Sequence, residues 1–408
     1  MLALGAAAPA CAVDLGIDLH GFASQGYLVT TGNNYLGPTL QDGSFEFNEV
    51  GLNVVATPVD RLRVGAQVVS IDAGDFGNNQ VLVDWAYGDY QLDQRLGFKL
   101  GRFKIPLGLA NDTRDLDLTR TQVFLPQAVY PVPLRDFYIA VNGVGVYGTA
   151  RMGGLGTLDY TAYIGGQNIT AQSATARYFT SLGAGDTFSF IHVSSIEGGA
   201  LTWNTPADGL RLRASLYHAY RLDVLGHTLG AATPVAGVFS DNDIHAQLHD
   251  FWSGILSAEY QWQDLTLAGE YLRNYSRNDV VVTSHPFINA PAAGGPPGST
   301  VRVDLPVATT STISYLRNEG MYLSAGYRFL ERFEANLGRE IYFDDTQSRG
   351  ASFFRSWDLS LRWDILDHWL AKAEWQHVDG TAFASRQDNP QGLKDSMDVL
   401  SLKTTFDF

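Results

Sequence analysis

Residues Asp398–Phe408 read DVLSLKTTFDF. Leu400, Leu402, Thr404, Phe406 and Phe408 share one parity, and Val399, Ser401, Lys403, Thr405 and Asp407 share the other. Successive side chains of a strand point to opposite faces, so the stretch predicts a strand with one apolar and one polar face. Chain ends commonly fray and carry polar residues. Here the apolar spacing continues to Phe408 itself. Two architectures use such a strand: a soluble β-sandwich, or a barrel wall with lipid on one side and water on the other.

Working outward, the same period-2 pattern recurs along the chain, and helical periodicity is nowhere sustained. Leu62, Val64, Ala66 and Val68 alternate with Arg63, Gly65 and Gln67. Val81, Val83, Trp85 and Tyr87 alternate with Leu82, Asp84 and Ala86. Leu210, Leu212, Ala214 and Leu216 alternate with Arg211, Arg213 and Ser215, and Trp357, Leu359, Leu361 and Trp363 with Asp358, Ser360 and Arg362.

The connections alternate between short and long. Short turns are expected at 57–61, 91–95, 151–156, 205–209, 263–264, 330–332 and 365–368. Long loops are expected at about 30–43, 72–79, 105–141, 166–198, 223–249, 276–312, 344–352 and 379–396. Seven short turns and eight long loops give sixteen strands with both termini on the short-turn side. The predicted fold is all-β: a transmembrane antiparallel β-barrel of 16 strands, with short periplasmic turns and long extracellular loops. The last strand must then pair with the first, around Leu15 to Val29. Tyr87, Tyr260, Trp262, Tyr327, Phe329, Trp363 and Trp369 sit beside short turns, where an interfacial aromatic girdle belongs.

Composition agrees. Charged residues make up 17% of the 408, against the usual ~25%, and 42 glycines and 12% aromatics are high. No run of 18 apolar residues exists for a membrane helix. The net charge of −15 argues against nucleic acid as a partner. One cysteine, Cys11, excludes a disulfide framework. The opening MLALGAAAPACAVDLG ends an apolar run with Ala10-Cys11-Ala12, a small-x-small cleavage pattern. Residues 1–12 are therefore expected to be the remainder of a signal peptide, cleaved after Ala12, and 13–408 a single barrel domain. A lipid attachment at Cys11 is the rival, for which Ala8-Pro9-Ala10 is a poor match.

The terminal Phe408, with Phe406, Leu402 and Leu400, resembles the C-terminal signal that outer-membrane proteins present to the barrel assembly machinery. HGFASQGYL (20–28), GRFKIPLGL (101–109) and LPQAVY (125–130) resemble segments of Gram-negative outer-membrane porins of the sixteen-stranded kind, loosely like the phosphate-selective family. The resemblance implies a homotrimer in the outer membrane, contact with its lipid and lipopolysaccharide, passive diffusion through each barrel, and an inward-folded third loop.

That loop, 105–141, carries Arg114, Asp115, Asp117, Arg120, Arg135 and Asp136 among many apolar residues. Such apolarity suits packing against the inner wall, so the loop is expected to narrow the lumen and its charges to set the local field. Wall residues expected to face the pore are Arg63, Asp84, Lys99, Arg102, Arg211, Arg213, Arg362 and Lys372, with Lys403, Asp159, Glu259, Glu270, Asp358 and Glu374. Arg211 and Arg213 with Arg63 and Lys99 suggest a basic strip, which tilts the expectation towards anions. His245 and His249 could share a metal only if their segment were helical; no metal or other cofactor is expected. The expected function is passive diffusion of small hydrophilic solutes or ions, without catalysis. The alternatives are a plugged barrel with a structural or adhesive role, and an outer-membrane lipase, which would need a Ser–His pair on the lipid face near the outer rim.

Overall fold

A computed structural model describes residues 16–408 except 75, 183–185, 295 and 297. The expected signal remnant, Cys11 included, lies outside the described residues. The strands are β1 (Asp18–Thr30), β2 (Phe47–Val59), β3 (Leu62–Ala73), β4 (Phe76–Gln91), β5 (Gly97–Lys104), β6 (Ala140–Arg151), β7 (Thr157–Ile169), β8 (Asp186–Asn204) and β9 (Leu210–Ala232). They continue as β10 (Val238–Trp262), β11 (Leu265–Pro291), β12 (Thr300–Asp304), β13 (Ala308–Leu316), β14 (Glu319–Phe329), β15 (Phe333–Phe343), β16 (Phe353–Leu366), β17 (Trp369–Gly380) and β18 (Ser396–Asp407). Two helices, α1 (Arg135–Tyr138) and α2 (Ala174–Leu182), lie in the third and fourth outer connections.

All 18 segments belong to one antiparallel sheet. β13 and β14 follow each other along β11 and form one wall strand, while β12 pairs only with the outer end of β11. The wall therefore has sixteen strands, as the alternation of turns predicts. It closes because β1 pairs with β2 on one side and β18 on the other, from Phe22↔Asp407 to Thr30↔Val399. Closure leaves no unpaired edge, the condition lipid imposes on a sheet. The seven short turns lie where expected. At 330–332, Leu330 and Glu331 take left-handed backbones (φ 50° and 61°), the geometry that lets a tight hairpin follow the strand twist.

Leu400, Leu402, Phe406 and Phe408 are exposed on the outer face, while Val399, Ser401, Lys403 and Thr405 are buried inside. Register aligns the outer face of β11 and β14–β16 in rows. Leu267, Ala325, Leu337 and Leu359 form an apolar row; towards the outer rim come Gly269, Leu323, Arg339 and Trp357, then Tyr271, Met321, Ile341 and Arg355, then Arg273, Glu319, Phe343 and Phe353. Near the short turns Tyr260, Trp262, Tyr327, Trp363 and Trp369 are exposed outward, and Phe329, Phe333 and Trp363 stack at 5.8 and 5.9 Å.

Tyr87 does not belong to this girdle. The β3–β4 register slips between Gln67 and Val68, so Asp84 is an extra residue and the parity of β4 inverts. Val81 and Val83 face lipid, but Tyr87 turns inward, where Lys99 Nζ lies 5.5 Å from its ring centre.

Several expected long loops are strand. β3 runs to Ala73 and β4 begins at Phe76, so most of 72–79 is strand, and 223–249 and 276–312 belong mostly to tall hairpins. β9, β10 and β11 run 23, 25 and 27 residues, about twice the 9–11 that cross a bilayer. A face inversion accompanies this length. Arg221 has φ 51°, and the β10–β11 register slips between Leu248 and Trp252. Below this level Trp252 and Leu256 face outward; above it Leu222, Val224, Ala246 and Leu248 pack inward. The outer face above carries Asp223, His227, Asp243, His245 and Asp279 instead, as a water-facing surface should.

Candidate functional site

Residues 105–139 lie against the inner wall on many sides. Wall carboxylates receive backbone N–H groups that the segment cannot pair within itself. Leu109 N–H donates to Glu270 (2.8 Å), Val123 N–H to Glu374 (2.6 Å) and Ala128 N–H to Glu340 (2.8 Å). Gly108 N–H donates to Ser215 Oγ (2.8 Å), and the Thr121 hydroxyl binds Glu334. Wall cations take the carbonyls: Lys372 donates to Asp117 O (2.8 Å) and Gln122 O (3.0 Å), Arg362 to Leu118 O (2.5 Å). These partners span β9, β11 and β15–β17.

Apolar packing completes the attachment. Phe103, Tyr163, Tyr217, Phe251 and Ile255 point inward from the wall and enclose Ile105, Leu107, Tyr130, Phe137 and Tyr138. Phe137 meets Tyr217 and Phe251 edge-on, with centroids 5.5 and 5.2 Å apart. The lumen therefore contains a hydrophobic core, which a rule of polar residues inside does not anticipate. A second core, with Tyr35, Phe124, Phe354 and Phe383, joins the first and last outer connections to the segment. Tyr35 donates to Gln127 (3.2 Å), and Asn33 exchanges hydrogen bonds with the backbone of Lys394.

Two charge networks organise the segment. In one, Asp115 binds Lys104 and Arg135 (2.8 Å to the latter), and Asp84 binds the same two cations at 2.8 and 3.2 Å. Arg135 also lies 3.6 Å from Asp136, whose carboxylate accepts the Ala174 N–H at the start of α2 (2.8 Å). In the other, Asp117 meets Arg120 (2.8 Å), Lys403 (2.8 Å), Lys372 (3.4 Å) and the Thr405 hydroxyl (2.7 Å), while Lys403 reaches on to Glu49 (2.7 Å). Arg114 is buried and donates to the carbonyls of Tyr130 and Pro131, both at 2.9 Å. A cavity of about 60 Å³ remains beside the segment, bordered by Glu49, Arg114, Asp115, Arg120 and Arg135.

The wall residues divide by depth. Arg63, Lys99 and Arg211 face the lumen near the short-turn end; Arg211 pairs with Glu259 (3.0 Å) and Lys99 sits 5.1 Å over the Tyr147 ring. Arg213 pairs with Asp112 of the inner segment (3.3 Å), so no continuous basic strip forms. Asp84, Arg362 and Lys372 face inward but are covered by the segment they hold. Arg102 corrects the expected wall set. It shares the outward parity of Leu100, and its Nε donates to the carbonyls of Val83 and Asp84 at the β4 bulge, both at 3.0 Å. Lys104 and Glu49 belong to the site yet were not in the expected set. Glu49 shares its parity with the inward Phe47, a signal present in the sequence. Lys104 ends β5 and curls inward where alternation stops, so no pattern marks it.

His245 and His249 are on strand β10, which separates them by about 13 Å along the chain. His245 lies 3.3 Å from Asp223 and His249 2.6 Å from Asp279, so they share no ligand position. Hydrogen bonds from His249, then the Arg277 charge, hold the Asp279 carboxyl below its usual range. Those from His227 and His285 do the same for Asp243.

Many solved structures match, among them three that each extend over 96% of the chain. The Vibrio cholerae outer-membrane protein OmpT, in a trimer form, aligns over 99% of its own length at 11% identity and TM-score 0.54. The anion-selective porin of Comamonas acidovorans aligns over 99% at 13% identity and TM-score 0.53. Salmonella typhi OmpF, in complex with daunomycin, aligns over 97% at 12% identity and TM-score 0.55. The fold is that of the outer-membrane porins. No family model and no curated protein sequence matches the chain. At these identities the porin fold alone is shared, and the residues of the lumen must be read from this chain.

Proposed function

We propose that the chain is a Gram-negative outer-membrane porin, exported through the periplasm, whose inner segment narrows a water-filled path for small hydrophilic solutes or ions. The observation that carries the reading is the attachment of residues 105–139 to inward-facing side chains around the wall, which leaves charged groups beside a small cavity between the segment and β2–β3. A closed barrel with a lipid-facing exterior and a charged lumen is built for diffusion rather than for a buried chemical step. The cavity borders include Arg114, Arg120 and Arg135 against Glu49 and Asp115, which supports a modest preference for anions. The trimer form of the Vibrio relative supports a homotrimer. Single-channel recording in a planar bilayer tests the reading: stepwise conductance is expected, and a silent, correctly folded barrel overturns it.

The density of packing around the segment favours one second reading, a barrel plugged for a structural or adhesive role. Silence in the same recording, unchanged when Asp117 is replaced to loosen the segment, would establish it. The lipase reading has no support in the outward histidines: His218 lies between Glu197 (3.0 Å) and Asp250 (3.3 Å) and stacks on Trp252.

A further inference from the structure

We propose that the pocket at the short-turn end of the lumen, between the β14–β15 and β16–β17 turns, binds short peptides with free termini. The peptide carboxylate would meet Arg332, and its ammonium group Glu331 and Asp367. The inference rests on the porin reading above, which lets solutes reach this end of the lumen, and it names one class of solute held there.

The pocket is a built feature. Its two turns are laced together: the Asp364 N–H donates to the Arg332 carbonyl (2.8 Å), and Arg332 Nη1 donates to the Ile365 carbonyl (2.8 Å). Leu118 of the inner segment also lines it, and Arg362 fixes Leu118 by donating to its carbonyl (2.5 Å). The space enclosed is about 350 Å³, at the small end of the range for ligand sites.

The charges in it divide into matched and unmatched. Arg328 and Arg362 both bind Asp364, at 3.2 and 2.6 Å, and Arg328 also lies 3.5 Å from Glu334. Arg332 has no carboxylate within ion-pair distance among the described residues, and the Glu331 and Asp367 side chains have no hydrogen-bond or ion-pair partner there. One nitrogen of the Arg332 fork is engaged by Ile365, and the rest remain to donate. One cation and two anions thus line a single pocket without pairing with one another. An inorganic anion would suit Arg332 and be repelled by the two acids; a small cation would meet the reverse. A solute that carries both signs forms charge-assisted contacts with all three.

A third observation is apolar. Leu118, inside the barrel, is 39% exposed, and it lines the pocket with Leu366 and Leu370. Covering such carbon is favourable. The Cα and side-chain atoms between the two charged ends of a peptide supply that cover.

The test places the full barrel in a phospholipid nanodisc and follows trialanine by saturation-transfer NMR. N-acetyl-trialanine, which lacks the ammonium group, and trialanine amide, which lacks the carboxylate, are compared with it. Each blocked form is expected to bind about tenfold more weakly, the scale of one charge-assisted contact. E331Q/D367N should bind trialanine and its N-acetyl form alike while still preferring the free carboxylate. R332Q should do the opposite, so each variant carries its own proof that the pocket persists. Both should keep the wild-type electrophoretic shift on heating, which reports folding. Equal binding of the three probes overturns the proposal. So does loss of affinity on amidation alone, which would make the pocket an anion site, or variants that keep both preferences. Binding is read without current. A barrel that binds trialanine but never conducts overturns the porin reading alone, and one that conducts but shows no saturable trialanine binding overturns this proposal alone.

Discussion

Asp117 of the inner segment and Lys403 of β18 meet at 2.8 Å, with both side chains almost fully buried. The same carboxylate faces Lys372 at 3.4 Å and Arg120 at 2.8 Å. One acid thus neutralises cations from two neighbouring strands and one from its own segment. Removing it by Asp117→Ala leaves Lys372 and Arg120 buried without a carboxylate and Lys403 with Glu49 alone, a loss of about 3–5 kcal/mol. The expected result is a lower temperature for loss of the folded electrophoretic form, together with an altered and noisier single-channel conductance. Unchanged conductance would place the segment outside the current path.

How much of this was legible in the sequence follows from the same residues. Lys403 and Thr405 alternate with Leu402 and Phe406, so their inward direction is written in the strand. The strand count, the closing pair β1–β18 and the outward girdle follow from that rule. The rule fails where the register slips, at Asp84 and near His249, because one extra residue exchanges the two faces, and at Arg221, whose backbone is left-handed. Hence unbroken alternation puts Tyr87 on the outer face and leaves the tall hairpins looking like loops. The pairing of Asp117 with Lys372 joins residues 255 positions apart, and nothing local encodes it. The inward Tyr217 and Phe251 look like errors in a water-filled lumen until the inner segment is there to cover them.

Gly320 offers a second test of that segment. A Cβ built there would lie 1.9 Å from the backbone oxygen of Ala128, so the wall approaches the segment too closely for any side chain. Gly320→Val should therefore displace residues near Ala128 and change conductance while the barrel still forms. Gly254→Val, on the outer face where a Cβ meets nothing within 4 Å, should leave conductance as it was. Identical currents from both variants would contradict the placement.

Ion preference should respond to the charges beside the cavity between the inner segment and β2–β3. Glu49→Gln frees Lys403 from one of its two carboxylates (2.7 Å) and should shift the reversal potential in a KCl gradient towards anions. Arg120→Gln removes a cation from Asp117 and should shift it towards cations. A unit charge acting across about 8 Å of water is worth about 0.5 kcal/mol, roughly a twofold change in permeability ratio. Shifts of the same sign in the two variants would remove these residues from the ion path.

The tall hairpins should loosen in acid, and the direction can be worked out from one residue. Asp243 on β10 lies 2.9 Å from His227 on β9 and 3.1 Å from His285 on β11, so it ties three strands together above the membrane. These hydrogen bonds lower its pKa. A group whose folded value is depressed stabilises the fold above its unfolded value, near ~3.9 for an aspartate, and loses that contribution as pH falls through the lowered value. The site is exposed, so the effect is small and weakens with salt. Protection against hydrogen exchange around the 233–237 turn, after correction for the slower intrinsic exchange in acid, should fall below about pH 4, while β14–β18, which this carboxylate does not touch, stay protected. Asp243→Asn should show the faster exchange at neutral pH and little further change on acidification. If the variant kept the wild-type acid response, Asp243 would not be the group that fastens the hairpins.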